Sequence, residues 1–399
     1  MEMKKYDVAV IGAGASGMMC AALAGQRGRS VVLIEHAPKL AEKIRISGGG
    51  RCNFTNKVVH AENFISDNIH FCRSVLARYT PEDFLELVRR YKIKYHEKHK
   101  GQLFCDVSSE LIIQLLKSEC SLGNVAWEMP EKVKSIEKEK EGFILQTTNQ
   151  PILAKNVVIA TGGLSIPKIG ASDFAYRVAQ QFGIKMVPTY PALVPLTFDA
   201  ATWAIYGELA GVALPVEISV GEKKQRITFK EDLLFTHKGL SGPAVLQISS
   251  YWKPGMALDI DLLPQEDLAT TLIENKSFSR KNVVNVLSQW LPSRLVEVWL
   301  MHLEYRGDVK LSDMPDKKLH ALAHALHHWK IVPSGTEGYR KAEVTGGGVD
   351  TAELHQQTMM SKKVDGLYFV GEAVDVTGWL GGYNFQWAWA SGAAAGRSV

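Results

Sequence analysis

One hexapeptide limits this chain more than any other feature: Gly12-Ala13-Gly14-Ala15-Ser16-Gly17, set between an apolar run, Asp7 to Ile11, and a small-residue stretch through Ala24. A G-x-G-x-x-G that follows a strand and opens a helix is the fingerprint of a dinucleotide-binding βαβ unit. Its chemistry is main-chain chemistry. Gly12 permits the tight turn, Gly14 lets backbone N–H groups approach a pyrophosphate, and Gly17 lets helix pack on strand, with the helix N-terminus facing the anion. A second apolar run, Val31 to Ile34, ends in Glu35, 18 residues after Gly17, where a carboxylate accepts from ribose hydroxyls. Near the other end, Gly366-Leu-Tyr-Phe-Val-Gly-Glu-Ala373 reads as a second strand running into a glycine turn. The two segments together outline a site for a flavin dinucleotide.

At 399 residues and 46% apolar content the chain has room for two or three domains with cores of their own. A net charge of +4, from 46 basic and 42 acidic residues, makes no electrostatic case for nucleic acid or an anionic membrane. The runs Lys92 to Lys100 and Lys132 to Lys140 are read as solvated surface. Five cysteines, Cys20, Cys52, Cys72, Cys105 and Cys120, form no C-x-x-C pair and fit free thiols in a reducing compartment. No apolar run reaches the length of a membrane span, and the N-terminal apolar stretch is broken by fingerprint glycines rather than built as a signal peptide. The expected location is the cytoplasm.

Along the chain, a polar Gly-rich loop, Ser47 to Asn56, follows the opening unit, and Thr80-Pro81-Glu82-Asp83 reads as a helix start with Thr80 as cap. Strands are expected around Val133 to Ile136, Phe143 to Thr147 and Asn156 to Ala160, the last running into Thr161-Gly162-Gly163. Prolines 188, 191 and 195 mark a change to strand-like patches, at Val194 to Phe198, Val216 to Val220, Gln225 to Phe229 and Leu258 to Leu262. From Gln265 to Trp329 the period becomes helical. The expected fold is therefore α/β: a discontinuous Rossmann-type domain, 1–188 and 339–399, interrupted by a β-rich domain, 189–263, and a helical lobe, 264–338.

Four segments then carry a family resemblance: Ser47-Gly-Gly-Gly-Arg-Cys-Asn-Phe-Thr-Asn56, Phe235-Thr-His-Lys-Gly-Leu-Ser-Gly-Pro243, Ala342-Glu-Val-Thr-Gly-Gly-Gly-Val349, and Gly371-Glu-Ala-Val-Asp-Val-Thr-Gly378 continuing to Gly381-Gly-Tyr-Asn-Phe-Gln386. Spread over nearly the whole length, they resemble the BaiN-like NAD(P)/FAD-dependent oxidoreductases among the two-dinucleotide-binding-domain flavoproteins. The resemblance implies FAD as cofactor and a barrel-like form for the β-rich insertion. Gly12, Ala13, Gly14, Ala15, Ser16 and Gly17 would hold the pyrophosphate, Glu35 the adenosine ribose, and Gly371 and Glu372 the ribityl and pyrophosphate region, with Glu372 standing where many relatives carry Asp. It also implies that Ser47, Gly48, Gly49, Arg51 and Asn53 lie beside the isoalloxazine, and that Gly382, Asn384 and Gln386 sit where the last helix begins, near the pyrimidine edge. Thr161 and Gly162 are assigned to FAD contact or domain crossover.

Each assignment has a plainer counterpart. Gly381, Gly382 and Gly392 also suit close helix packing, Arg51 and Asn53 also suit a loop stabiliser, and Cys52 reads as a non-catalytic thiol. His237, a candidate proton-transfer group, sits in a polar turn where Ser241-Gly242-Pro243 also suits helix capping. His320, His324, His327 and His328 read as a solvated helix face, and no metal is expected. The resemblance implies transfer of a hydride through flavin N5 to a conjugated double bond of a small organic substrate at the expense of NADPH or NADH, and with no second fingerprint for a separate nicotinamide domain the donor is expected to visit transiently. An oxygen-using oxidase is the alternative enzyme. A flavin-binding RNA-associated or redox-sensing protein is the alternative class, against which the charge balance and the lack of a basic-aromatic stripe count. The partners expected are thus a small molecule, with no nucleic acid and no membrane; oligomeric state is not readable.

Overall fold

The structure, a computed structural model, describes residues 3–399. These fall into two compact units, one running to Pro191 and resuming at Glu343–Val399, the other Ala192–Ala342.

The first unit is built on a seven-stranded sheet. β1 (Lys4–Ile11) leads through α1 (Ala15–Gln26) to β2 (Val31–Ile34). β1 lies parallel between β2 and the strand Ile152–Ile159, β2 pairs in parallel with Ala126–Glu128, and Ile152–Ile159 pairs in parallel with Leu367–Phe369. The antiparallel hairpin Val133–Glu139/Gly142–Thr147 joins the lower half of Ile152–Ile159 on the same edge. All four residues of β2 are buried, as expected of a strand covered on both faces.

Register does the important work. Ile11 stands opposite Ile34 and Ile159, and Ile159 opposite Phe369. The segments that follow these residues, Gly12–Gly17, Glu35, Ala160–Gly163 and Val370–Glu372, therefore emerge at one carboxyl edge, where open α/β sheets bind their ligands. Main-chain bonds tie the exits together: Gly12 N donates to Ile34 O at 2.8 Å, Ala160 N to Ile11 O at 2.9 Å, and Val370 N to Ile159 O at 3.0 Å.

The last helix, Tyr383–Gly396, is buried along most of its length against α1. Small residues set that distance, since a Cβ at Gly392 would overlap Ser16 O and one at Gly396 would stand 2.6 Å from Cys20 O. The expected start at Thr80 is a reciprocal capping box for Pro81–Arg90, with Asp83 N donating to Thr80 Oγ1 and Thr80 N donating to Asp83 Oδ2.

In the second unit a seven-stranded antiparallel sheet takes the order Trp329–Ile331, Leu258–Asp261, Ala213–Val220, Ile227–Thr236, Gly239–Ser241, Leu196–Thr197, Gly335–Thr336. The helices between Leu268 and His327 are inserted between two neighbouring strands of this one sheet, and Trp329 closes the seam against Phe235 and Trp299 at ring separations of 5.9 and 5.0 Å. The β-rich and helical segments thus share one core. Among the described residues no helix is long and apolar enough to cross a membrane.

Candidate functional site

At the start of α1 the helix is capped by Gly14 with no side-chain cap, leaving its first amides to another acceptor. A Cβ on Gly12 would lie 2.5 Å from Ala160 O, and one on Gly17 would overlap Gly12 O, so these two glycines answer to the protein's own packing. Gly14 differs: a Cβ there meets no atom within 4 Å. Open space at that point would admit a pyrophosphate. Ala13 and Ser16 are buried beneath it, and Ala15 is the first residue of the helix.

Glu35 reaches back into this turn. Its Oε2 accepts from Ala13 N at 2.8 Å, while Oε1 accepts from Ala37 N and from His36 Nδ1, each at 2.9 Å. Burial pushes the Glu35 carboxyl up, but the bonds from His36, Ala37 and Ala13 outweigh it and hold the acid below its ordinary range. The group is a fixed anion that aligns the fingerprint and retains acceptor capacity for ribose hydroxyls. Beside it, Thr161 Oγ1 is shielded without a hydrogen-bond partner among the described residues, and Gly162 opens on free space. An orphaned hydroxyl, uncapped amides and an ionised carboxylate around one opening fit a bound dinucleotide.

Glu372 behaves differently from the ligand contact expected of it. Oε1 accepts from Thr345 N and Ser165 Oγ, both at 2.9 Å, and Oε2 from Lys43 Nζ. Lys43 also donates to Ser165 Oγ at 2.6 Å, and Thr345 Oγ1 accepts from the amides of Leu164 and Ser165. The carboxylate is a clasp joining three separate segments at the carboxyl edge. Lys43, Ser165 and Thr345 were not singled out in the sequence; only Thr345 lay within a distinctive segment. Gly371 turns at φ +66°, donating to Ser391 Oγ at 3.0 Å, with its carbonyl accepting from Trp387 Nε1 at 3.0 Å.

In the Ser47–Asn56 loop, Gly48, Gly49 and Gly50 take φ of +56°, +66° and +85°, a left-handed run that only glycine adopts cheaply. Ser47 Oγ donates to Ile44 O, and the loop closes through Cys52 N to Ser47 O at 3.0 Å. Cys52 is fully buried, as are the other four cysteines to within a few per cent, and burial drives its thiol far above the ordinary range, so it is no nucleophile. Arg51 is exposed, and its guanidinium has no partner among the described residues. Asn53, with its amide oriented to suit its neighbours, donates to Leu103 O and Thr55 O and accepts from Gly382 N at 3.1 Å. It stitches the loop to the last helix.

That helix begins after Gly382, again without a side-chain cap and without an acidic residue in its first turn. The side chains expected to face a ligand are engaged by protein instead. Asn384 Oδ1 accepts from Gly378 N and its Nδ2 donates to Gly378 O, both at 2.8 Å, while buried Gln386 accepts from Thr55 Oγ1 at 2.7 Å and donates to Tyr79 O at 2.9 Å. What remains for a ligand is the positive end of the helix itself. Gly382 is also a packing residue, since a Cβ there would overlap the Thr55 carbonyl.

His237 lies in the second unit, exposed in the turn between Ile227–Thr236 and Gly239–Ser241, a turn held by Gly239 N donating to Thr236 Oγ1 at 3.1 Å. The helix Pro243–Ser249 starts as Ser241-Gly242-Pro243 suggested, with Gly242 as its cap and Pro243 in the first turn. Of the four clustered histidines, His327 pairs with Asp261 at 2.9 Å and the His324 and His328 rings lie 4.8 Å apart.

Residues 6–398 match the family model described as HI0933-like protein Rossmann domain, and the chain belongs to that family. It is 50% identical over its full length, and 98% of the relative's, to the ribosomal RNA dihydrouridine synthase of Escherichia coli K12, and 45% identical to the Haemophilus influenzae protein of the same name, over 98% and 97% of the two chains. To the 3-dehydro-bile acid delta(4,6)-reductase of Clostridium scindens it is 28% identical over 98% of each chain. Among solved structures, the 3-ketosteroid-delta4-(5alpha)-dehydrogenase of Rhodococcus jostii RHA1 shares the fold, with a TM-score of 0.50 at 13% identity over 100% and 97% of the two chains. The chain is thus an enzyme of the BaiN-like FAD-dependent oxidoreductase family. One expectation is overturned: two full-length relatives are named for a ribosomal RNA substrate, against a small-molecule partner and no nucleic acid.

Proposed function

We propose that this enzyme reduces a uridine of ribosomal RNA to dihydrouridine, with NADPH or NADH as the electron donor. The observation that carries the reading is near-half identity, end to end, with two proteins named for that reaction. The chemistry agrees with the conjugated-bond reduction expected from the sequence. The C5–C6 double bond of uracil is conjugated with the C4 carbonyl, as the bonds of an unsaturated ketosteroid are with theirs, so hydride adds at C6 and a proton at C5.

FAD, when bound, would supply the hydride-transfer chemistry, with the nicotinamide as its source of electrons. The chain's own residues do the rest. Gly14 and the amides opening α1 hold the pyrophosphate, and Glu35 holds the ribose. The N-terminus of Tyr383–Gly396 favours negative charge on the reduced ring. Gly48, Gly49 and Arg51 would hold the ring from the loop side, and the exposed guanidinium of Arg51 suits an RNA phosphate. A ribosomal RNA substrate puts the enzyme in the cytoplasm.

The test is turnover. Purified, flavin-loaded enzyme is incubated without oxygen with unmodified ribosomal RNA transcript and either NADPH or NADH, and the RNA is digested for nucleoside mass spectrometry. Dihydrouridine formation is expected. Flavin bleaching with no dihydrouridine, or turnover only on a steroid enone, would overturn the RNA reading, and peroxide formation without nicotinamide would indicate an oxidase.

A further inference from the structure

Resting on the RNA reading above, we propose that the outer face of the small sheet beside the Ser47–Asn56 loop is where the RNA strand docks. This sheet has three antiparallel strands, Asn53–Asn56, Gln102–Cys105 and Tyr95–Glu97. Its inner face is core: Phe54 meets Tyr95 edge-on at 5.8 Å, and Leu103 and Cys105 are buried. Its other face carries a row across all three strands, Asn53 opposite Phe104 opposite His96, which runs from half-buried Asn53 over buried Phe104 to exposed His96. The row begins in the candidate flavin loop, since a Cβ on Gly48 would stand 2.8 Å from Phe104 Cε1 and Cys105 N donates to Arg51 O at 2.9 Å.

Charge then selects the partner. Between Lys92 and Lys100 four exposed lysines face a single glutamate, in a chain whose whole net charge is +4. That glutamate, Glu97, is already paired with Lys57 at 2.7 Å. Lys92 and Lys94 have no side-chain partner among the described residues, and Lys98 hangs over the Phe104 ring with its Nζ 5.5 Å from the centroid. The half-exposed His96 ring stacks on the other side chain of its row, Phe104, at 6.1 Å and 15°, while its Nδ1 stands 2.8 Å from Asp106 Oδ1, an acid beside this row. Unpaired cations interleaved with stacked rings are the makings of a single-stranded nucleic-acid platform, in which lysines meet phosphates and a ring meets a base. The other basic run argues by contrast: from Glu131 to Glu141 four lysines alternate with four glutamates, and no net charge results.

Position completes the argument. His96 lies two strand spacings from Asn53, roughly 10 Å, so an RNA held on this face has its neighbouring nucleotide within reach of the candidate flavin loop. Lys92, Lys94 and Lys98 grip the strand, and Arg51 takes the phosphate nearest the ring.

The experiment measures binding of a ribosomal RNA transcript to the flavin-loaded protein across a salt series. The triple variant Lys92→Gln/Lys94→Gln/Lys98→Gln is compared with Lys132→Gln/Lys134→Gln/Lys140→Gln, and flavin content reports that each is folded. The first variant is expected to raise Kd by about tenfold or more and to reduce the log–log salt slope by about 2, and the second to change neither. His96→Ala should weaken binding about fivefold at unchanged slope, with His96→Phe restoring it. Wild-type affinity and slope in the first variant would overturn the docking face while leaving RNA reduction standing. Wild-type protein that neither binds nor reduces the transcript would remove the parent reading and this one with it.

Discussion

The first unit has two long helices that start uncapped, ahead of Ala15 and ahead of Tyr383, and both follow a glycine with no side-chain cap. Their surroundings differ. Before α1 the polar work is done by backbone, and the one glycine not pressed by protein, Gly14, opens on space. Before the last helix the polar side chains are bonded inward, Asn384 to its own loop and Gln386 across to Thr55 and Tyr79. The first is a cradle shaped by what is missing. The second is a buttress whose helix end alone is left to act.

The comparison is most severely tested by exchanging glycines. Gly17→Val drives a side chain into Gly12 O and is expected to abolish folding, a loss of more than about 4 kcal/mol seen as insoluble or unfolded protein by circular dichroism. Gly14→Val should fold with apo stability within about 1 kcal/mol of wild type yet lose FAD, its flavin-to-protein absorbance ratio falling towards zero. Stoichiometric flavin in that variant would mean that the fingerprint is not the cradle.

Gln386→Ala comes next. It leaves Thr55 Oγ1 and Tyr79 O without their buried partner, and a loss of about 3 kcal/mol in chemical denaturation is expected, with little change in the flavin's reduction potential. A moved potential at unchanged stability would erase the difference between the two ends. Asn384→Ala, half-buried and confined to its own turn, should cost about 1 kcal/mol, read as a small drop in melting temperature.

The smallest effect sharpens the cradle side. His36, raised from its ordinary 6.5 chiefly by its bond to Glu35, contributes stability that is fully present below that value and is lost as pH rises through its higher folded-state pKa. The group is half-exposed, so the contribution is below about 1 kcal/mol. Wild type minus His36→Gln in thermal melts should shrink towards zero between pH ~6 and ~9. A constant difference across that window would show that the ion pair contributes nothing.

How far the site was legible follows from the kind of group involved. The placement of Gly12, Gly14, Gly17 and Glu35 around one strand-turn-helix-strand could be read because it depends on spacing along a single βαβ unit. The Lys43–Ser165–Thr345–Glu372 clasp could not, since its members come from four stretches of chain joined only by the sheet register. Nucleic acid was discounted on the net charge of the whole chain, a quantity that averages over position. The lysines between 92 and 100, all exposed around the strand Tyr95–Glu97, are hidden in that average.

By itself the sequence determined the flavoprotein class, the strand-turn-helix that opens it and the glycines without which that turn cannot close, because local backbone sterics depend on neighbours in the chain. Tertiary structure alone decided which polar side chains face inward, as with Asn384 and Gln386, and which face stays charged and open. Hydrogen-bond partners and unpaired charge are properties of what packs together in space, and residues 331 positions apart, Thr55 and Gln386, carry no mark of each other until the chain folds.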